Sequence, residues 1–138
     1  MEINMRTLIV EDDYTSRILL ENVLKDFGSC DFAINGLEAV AVFRRALDES
    51  RPYDLICMDI MMPKLSGQDA LRQIRHIEKK MGVPAGDEVK VFMTTALSEA
   101  KEVIDALYNG GASAYFVKPI NMENFIKELK SAGLIQKS

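Results

Sequence analysis

The chain has 138 residues, 48% of them hydrophobic, enough to fill one core without disulfides or a structural metal, which predicts a single domain over 1–138 with no fused output domain. A formal net charge of -4 gives no basic footprint for nucleic acid or an anionic membrane, so a protein is the expected partner. No apolar run approaches the ~20 residues of a bilayer span, and the first four residues lack a signal-peptide profile, which predicts a cytoplasmic protein without membrane insertion.

Taken in chain order, five short apolar runs alternate with longer amphipathic stretches, the pattern of a parallel sheet covered on both faces by helices. Strands are predicted over 7–10, 30–34, 55–58, 89–93 and 114–117. Leu8-Ile9-Val10 and Leu55-Ile56-Cys57-Met58 are continuously apolar, so both of those strands belong in the middle of the sheet. The first helix carries Leu20, Val23, Leu24 and Phe27 at helical spacing and stops at Gly28. Asn35 with Glu38 caps a second helix through Val40, Phe43 and Leu47, and Ser66 with Asp69 opens a third through Leu71, Ile74 and Ile77. The polar stretch 78–88, with Gly82, Pro84 and Gly86, reads as an extended surface loop. Ser98 opens a fourth helix (Val103, Ile104, Leu107) closed by Gly110-Gly111, and Asn121 opens a fifth (Phe125, Ile126, Leu129).

In an open α/β sheet the residues that follow the strands converge at one edge. Here they are Glu11-Asp12-Asp13, Asp59, Thr95-Ala96 and Lys118-Pro119. A single aspartate after a strand is usually a helix cap or a solvated turn. Four strand ends supplying carboxylates, a hydroxyl and an amine together point to a site. Carboxylates gathered there repel one another and favour a divalent cation, and a donor set made only of oxygens suits magnesium. The lysine and hydroxyl imply a bound anion.

These residues carry a resemblance to the receiver domains of bacterial two-component signalling, including the stand-alone chemotaxis-type regulators. The matching motifs are Ile9-Val10-Glu11-Asp12 with Arg17 five residues after Asp12, Asp59-Ile60-Met61-Met62-Pro63 with Gly67 eight after Asp59, Thr95-Ala96, Gly111-Ala112, and Tyr115-Phe116-Val117-Lys118-Pro119. The resemblance implies a flavodoxin-like, doubly wound α/β fold, with a five-stranded parallel sheet in the order 2-1-3-4-5 flanked by five helices.

It further implies that Asp59 is the phosphoacceptor, that Glu11, Asp12, Asp59 and the Met61 carbonyl hold magnesium, and that Thr95 and Lys118 contact the phosphoryl oxygens. Phosphoryl transfer needs an aligned nucleophile and fixed positive charge, which such a set supplies. The acidic run has three members, so the pair Asp12-Asp13 is an alternative. The Arg17 offset favours Glu11-Asp12 and leaves Asp13 to cap the first helix. The implied protein is a phosphoacceptor switch rather than an enzyme. Its donor would be a histidine kinase or histidine phosphotransfer protein, and its output would pass through a downstream protein partner. On phosphorylation, Thr95 would move toward the phosphoryl group and Tyr115 inward, reshaping the face of the fourth helix, fifth strand and fifth helix. Met61 and Leu97, two positions after Asp59 and Thr95, cannot orient a hydrolytic water. Slow self-dephosphorylation is therefore expected, and phosphoryl lifetime in a Met61→Asn, Leu97→Glu double variant checks it.

A flavodoxin-like flavin carrier would need a phosphate-binding loop where Glu11-Asp12-Asp13 stands, and acidic side chains repel phosphate. A haloacid-dehalogenase-type phosphatase would need an aspartate where Met61 stands. A degenerate receiver acting only as a binding module would lack residues of the set Asp59, Thr95 and Lys118, all of which are present. His76, the one histidine, reads as a surface side chain of the third helix, and Met58 and Met93 as core filler. With the first strand between those carrying Cys30 and Cys57, the thiols stand ~10 Å apart and stay reduced.

Overall fold

Continuously apolar runs become strands buried on both faces. The computed structural model describes residues 4–96 and 111–136. Five parallel strands, β1 (Met5–Val10), β2 (Gly28–Ala33), β3 (Leu55–Asp59), β4 (Lys90–Ala96) and β5 (Ala114–Lys118), form one sheet in the order β2-β1-β3-β4-β5. Successive side chains alternate between its faces. Leu8, Val10, Ile56 and Met58 pack with Phe43 of α2 (Gly36–Asp48) and Leu71 and Ile74 of α3 (Gly67–Lys80). On the opposite face Ile9, Leu55 and Cys57 pack with Leu20 and Leu24 of α1 (Tyr14–Leu24) and Phe125 and Leu129 of α4 (Met122–Ser131). Phe92, Phe116 and Phe125 form a ring cluster there, with centroids 5.0 to 5.6 Å apart. Burying each such large apolar side chain contributes about 1.5–3 kcal/mol.

Each α-helix among the described residues starts where a short polar side chain accepts a free backbone N–H. Asp13 Oδ2 accepts from Ser16 at 2.9 Å, Asn35 Oδ1 from Glu38 at 2.8 Å, Ser66 Oγ from Asp69 at 3.2 Å and Asn121 Oδ1 from Asn124 at 3.0 Å. Each cap is worth about 1 kcal/mol. The helix expected to open at Ser98, Leu97 and Gly110 lie outside the described residues.

Among the boundaries that differ from the sequence reading, three have a clear physical cause. The strands leading to the site run further, because the ladder continues through polar residues: Asp59 pairs with Thr94, Thr95 with Val117 and Ala96 with Lys118. Gly28 ends the helical stretch, but by closing a 3-10 turn rather than by capping α1. α1 ends at Leu24, a single 3-10 turn covers Lys25–Phe27, and Gly28 opens β2 at φ 151° so close to β1 that a Cβ would lie 1.8 Å from the Met5 carbonyl oxygen.

The third difference concerns the stretch read as a loop from residue 78. α3 continues to Lys80 and turns out through Gly82 at φ 76°, with Val83 N–H on the Glu78 carbonyl at 2.9 Å. Glu78 is therefore helical, and it is 2% exposed. Its carboxylate accepts from Val89 N–H and from Arg75 Nη1, both at 2.7 Å, while Arg75 Nη2 donates to the Gly111 carbonyl at 3.0 Å. The end of α3 is thus tied to the start of β4 and to Gly111. Glu78→Ala would bury an unpaired N–H and leave Arg75 without its anion, at a cost of about 3 kcal/mol. A lowered urea midpoint checks it, with Glu78→Gln expected to lose less.

Met58 and Met93 are core residues, and His76 is exposed on α3. Cys30 and Cys57 are both free, with β1 between their strands. Burial pushes the Cys30 thiol up to about 11 and that of Cys57 up as well, which keeps both protonated.

Candidate functional site

The C-terminal edge of the sheet brings together Glu11 and Asp12 beyond β1, Asp59 at the end of β3 and Lys118 at the end of β5. Carboxylate oxygens of Glu11, Asp12 and Asp59 lie within 4.8 Å of one another. Glu11 is 1% and Asp59 8% exposed, while Asp12 faces solvent. Lys118 Nζ donates to Glu11 Oε1 at 2.7 Å and to Asp59 Oδ2 at 3.1 Å. The other Asp59 oxygen accepts from Met61 N–H at 3.1 Å, and Glu11 Oε2 accepts from Asp13 N–H at 3.2 Å.

The chain folds this way locally because Gly67 lacks a side chain. Its N–H donates to the Ile60 carbonyl at 2.8 Å, and a Cβ there would lie 2.4 Å from the Asp59 carbonyl oxygen. A glycine eight residues after Asp59 lets α3 start directly against the strand end.

One lysine does not balance three carboxylates. Burial, reinforced by the Asp59 charge and only partly offset by the Lys118 hydrogen bond, raises the Glu11 carboxyl to about 7. Burial also disfavours the Lys118 ammonium, yet the hydrogen bond to Glu11 and the charge of Asp59 outweigh it and hold Lys118 above its ordinary value. Asp13 is held below the usual carboxylate range by its hydrogen bonds to Ser16, made through both Oγ and N–H. Of the two acidic pairings that the sequence leaves open, the geometry favours Glu11 with Asp12. The donor set is all oxygen, anionic and open to solvent on the Asp12 side, so it fits a hard divalent cation such as magnesium.

Thr95 is 0% exposed at the same edge, one residue past the partner of Asp59, and its hydroxyl donates to the Ala96 carbonyl at 3.3 Å. Met61 and Tyr115 are exposed at 53% and 45%. The sequence reading missed the surface beside Lys118. There Leu19, 44% exposed, lines an apolar cleft of about 400 Å³ with Pro119 and Ile120. The one signal was that Leu19 falls out of phase with Leu20 and Leu24. Arg17, used only as a spacing marker, lies over the rings of Tyr14 and Phe32 at 5.5 and 5.7 Å.

Fold and site together define a doubly wound α/β domain with an acidic, oxygen-only centre bridged by a lysine. The chain belongs to the response regulator receiver domain family, whose sequence profile matches residues 7–130. It is 33% identical over 131 residues to chemotaxis protein CheY of Listeria monocytogenes, covering 94% of this chain and 98% of that protein. It also matches a chain in the co-crystal structure of the Saccharomyces cerevisiae histidine phosphotransfer signalling protein Ypd1 and the receiver domain of its downstream response regulator Ssk1. That match has a TM-score of 0.80 and 30% identity over 99% of this chain and 93% of that one. The receiver domain of sensor histidine kinase PA1611 from Pseudomonas aeruginosa, with magnesium coordinated in its active-site cleft, matches at a TM-score of 0.75 and 25% identity, covering 93% of this chain and 96% of that one. The chain is thus a two-component receiver domain rather than a flavin carrier or a haloacid-dehalogenase-type phosphatase. No helix among the described residues is long and apolar enough to cross a membrane.

Proposed function

We propose that the protein is a phosphorylation switch that accepts a phosphoryl group onto Asp59 from a histidine kinase or histidine phosphotransfer protein and signals through protein contacts. The observation that carries this reading is the meeting of three carboxylates within 4.8 Å, with Lys118 bridging Glu11 and Asp59. Magnesium would be held by Glu11, Asp12, Asp59 and the Met61 carbonyl. When bound, it would neutralise charge on the carboxylates and on the incoming phosphoryl oxygens.

The chain's own groups do the rest. The Met61 N–H and the Lys118 ammonium fix the Asp59 carboxylate, so its attack on phosphorus needs little reorientation. As the new O–P bond forms, the P–N bond to the donor imidazole breaks and the imidazole leaves with that electron pair. Lys118 is positioned to exchange a carboxylate partner for a phosphoryl oxygen. Thr95 would release the Ala96 carbonyl to donate to the same group, a hydrogen bond that exists only in the phosphorylated state and so shifts the equilibrium between two conformations. The apolar cleft of Leu19 and Ile120 borders Lys118 and offers a phosphotransfer partner a surface next to the reacting atoms. Incubation with acetyl phosphate should label the protein only when magnesium is present. Partner binding without any labelling would instead favour the phosphorylation-independent binding module.

Metal-free stability should depend on pH through Glu11. Its folded value near 7 lies above the ordinary 4.5, so the native state binds the extra proton. The Glu11 contribution is fully present below pH 4.5 and is lost as pH rises through about 7. Lys118, raised from 10.5, contributes stability that is lost only above that value and leaves this window unchanged. Magnesium binds the ionised carboxylates, so its stabilising effect should be larger at pH 8 than at pH 5.5 and weaker in Asp12→Asn. Thermal melts with magnesium or EDTA check this, and a melting point indifferent to magnesium at pH 8 counts against these ligands.

A further inference from the structure

The outer flanks of α2 and α3 leave a groove of about 560 Å³ that contains none of Glu11, Asp12, Asp59 or Lys118. Its floor is apolar, from Leu37 and Val40 of α2 and Ile77 of α3, with Leu37 53% exposed. Its rim carries Arg44 and Arg72 with Gln73 and His76, and no acidic side chain lines it. Asp69 pairs with Arg72 at 2.6 Å from outside the groove. In a chain of net charge -4, an apolar trough edged by two arginines and no carboxylate departs from the overall sign. We infer that this groove docks an acidic amphipathic helix of a partner protein, laid between α2 and α3 with its apolar stripe on Leu37, Val40 and Ile77.

The shape and charge together select that occupant. A trough between two helices takes a third helix through residues spaced i, i+4 and i+7, whereas a flat bilayer cannot reach a concave floor. A second copy placed face to face would set one basic rim against another. An acidic helix would satisfy both floor and rim, and its affinity would fall as salt rises. The docking site is separate from the phosphoryl chemistry, so each can fail without the other.

The test uses fluorescence anisotropy with a helix-stabilised peptide carrying leucines at i, i+4 and i+7 and glutamates elsewhere, beside a counterpart with lysine in place of every glutamate. The acidic peptide should bind saturably and about tenfold or more tighter than the lysine peptide. Arg44→Glu and Leu37→Ala should each weaken it about tenfold while leaving acetyl phosphate labelling unchanged, and Asp59→Asn should not affect it. Amide shifts on adding the peptide should change along α2 and α3. The inference is overturned by absence of binding, by equal binding of the two peptides, or by an affinity that neither groove variant changes. Self-association abolished by Leu37→Ala, or co-sedimentation with phosphatidylglycerol vesicles in place of peptide binding, would also overturn it by giving the groove another occupant.

Discussion

Asp59→Asn is expected to reduce labelling by acetyl phosphate to background, a loss of at least about 10²-fold, because a neutral amide oxygen is a far weaker nucleophile than a carboxylate. The neighbouring carboxylates are poor substitutes. Glu11 is 1% exposed and engaged by Lys118 and the Asp13 N–H, and Asp13 caps α1. The fold should survive, since an asparagine oxygen can still accept from Met61 N–H. With one charge fewer beside Glu11, the metal-free variant should melt higher than the wild type at pH 8. Intact-mass measurement reads the labelling, and a variant that still takes up one phosphoryl mass contradicts the assignment.

Lys118→Met should affect both stability and chemistry. It keeps much of the side-chain volume but removes the cation shared by Glu11 and Asp59. Breaking a fully buried pair costs about 3–5 kcal/mol. Lys118 is 26% exposed and Glu11 can take up a proton near neutrality, so the loss without metal should be nearer about 2 kcal/mol. Magnesium should restore part of it. Transfer from acetyl phosphate should slow roughly 10²-fold, the usual consequence of deleting one preorganised charge at a phosphoryl group. Urea unfolding and single-turnover labelling measure the two effects, and an unchanged rate would place Lys118 outside the chemistry.

Most of the architecture was legible because its determinants are local. The apolar runs at Leu8 and Leu55 mark central strands, and Asn35, Ser66 and Asn121 each cap the helix that they were expected to open. The strand order came from the family resemblance, not from any pattern within the runs. Features that depend on contacts between distant residues were missed. The ladder holding Thr95 and Lys118 inside strands depends on pairing between β4 and β5, and no single segment shows it. Gly28 does end the helical stretch, but the approach of Met5, which also calls for a glycine there, was not visible. Glu78 was grouped with a polar loop because its buried partner, the Val89 N–H, is eleven residues away. At the site, the sequence carried the residue types and the resemblance their expected roles. The preference for Glu11 over Asp13 as the partner of Asp12 came from the Arg17 offset, and the Asp13 cap on α1 is consistent with it.

The most direct measurement is to identify the atom that receives the phosphoryl group. Protein treated with acetyl phosphate and magnesium is reduced with borohydride, which converts an acyl phosphate to the alcohol, and its peptides are sequenced by mass spectrometry. Conversion should occur at Asp59 alone and disappear when EDTA replaces magnesium. Conversion at Glu11, Asp12 or Asp13, or at Asp59 to the same extent in EDTA, would contradict a magnesium-dependent switch centred on Asp59.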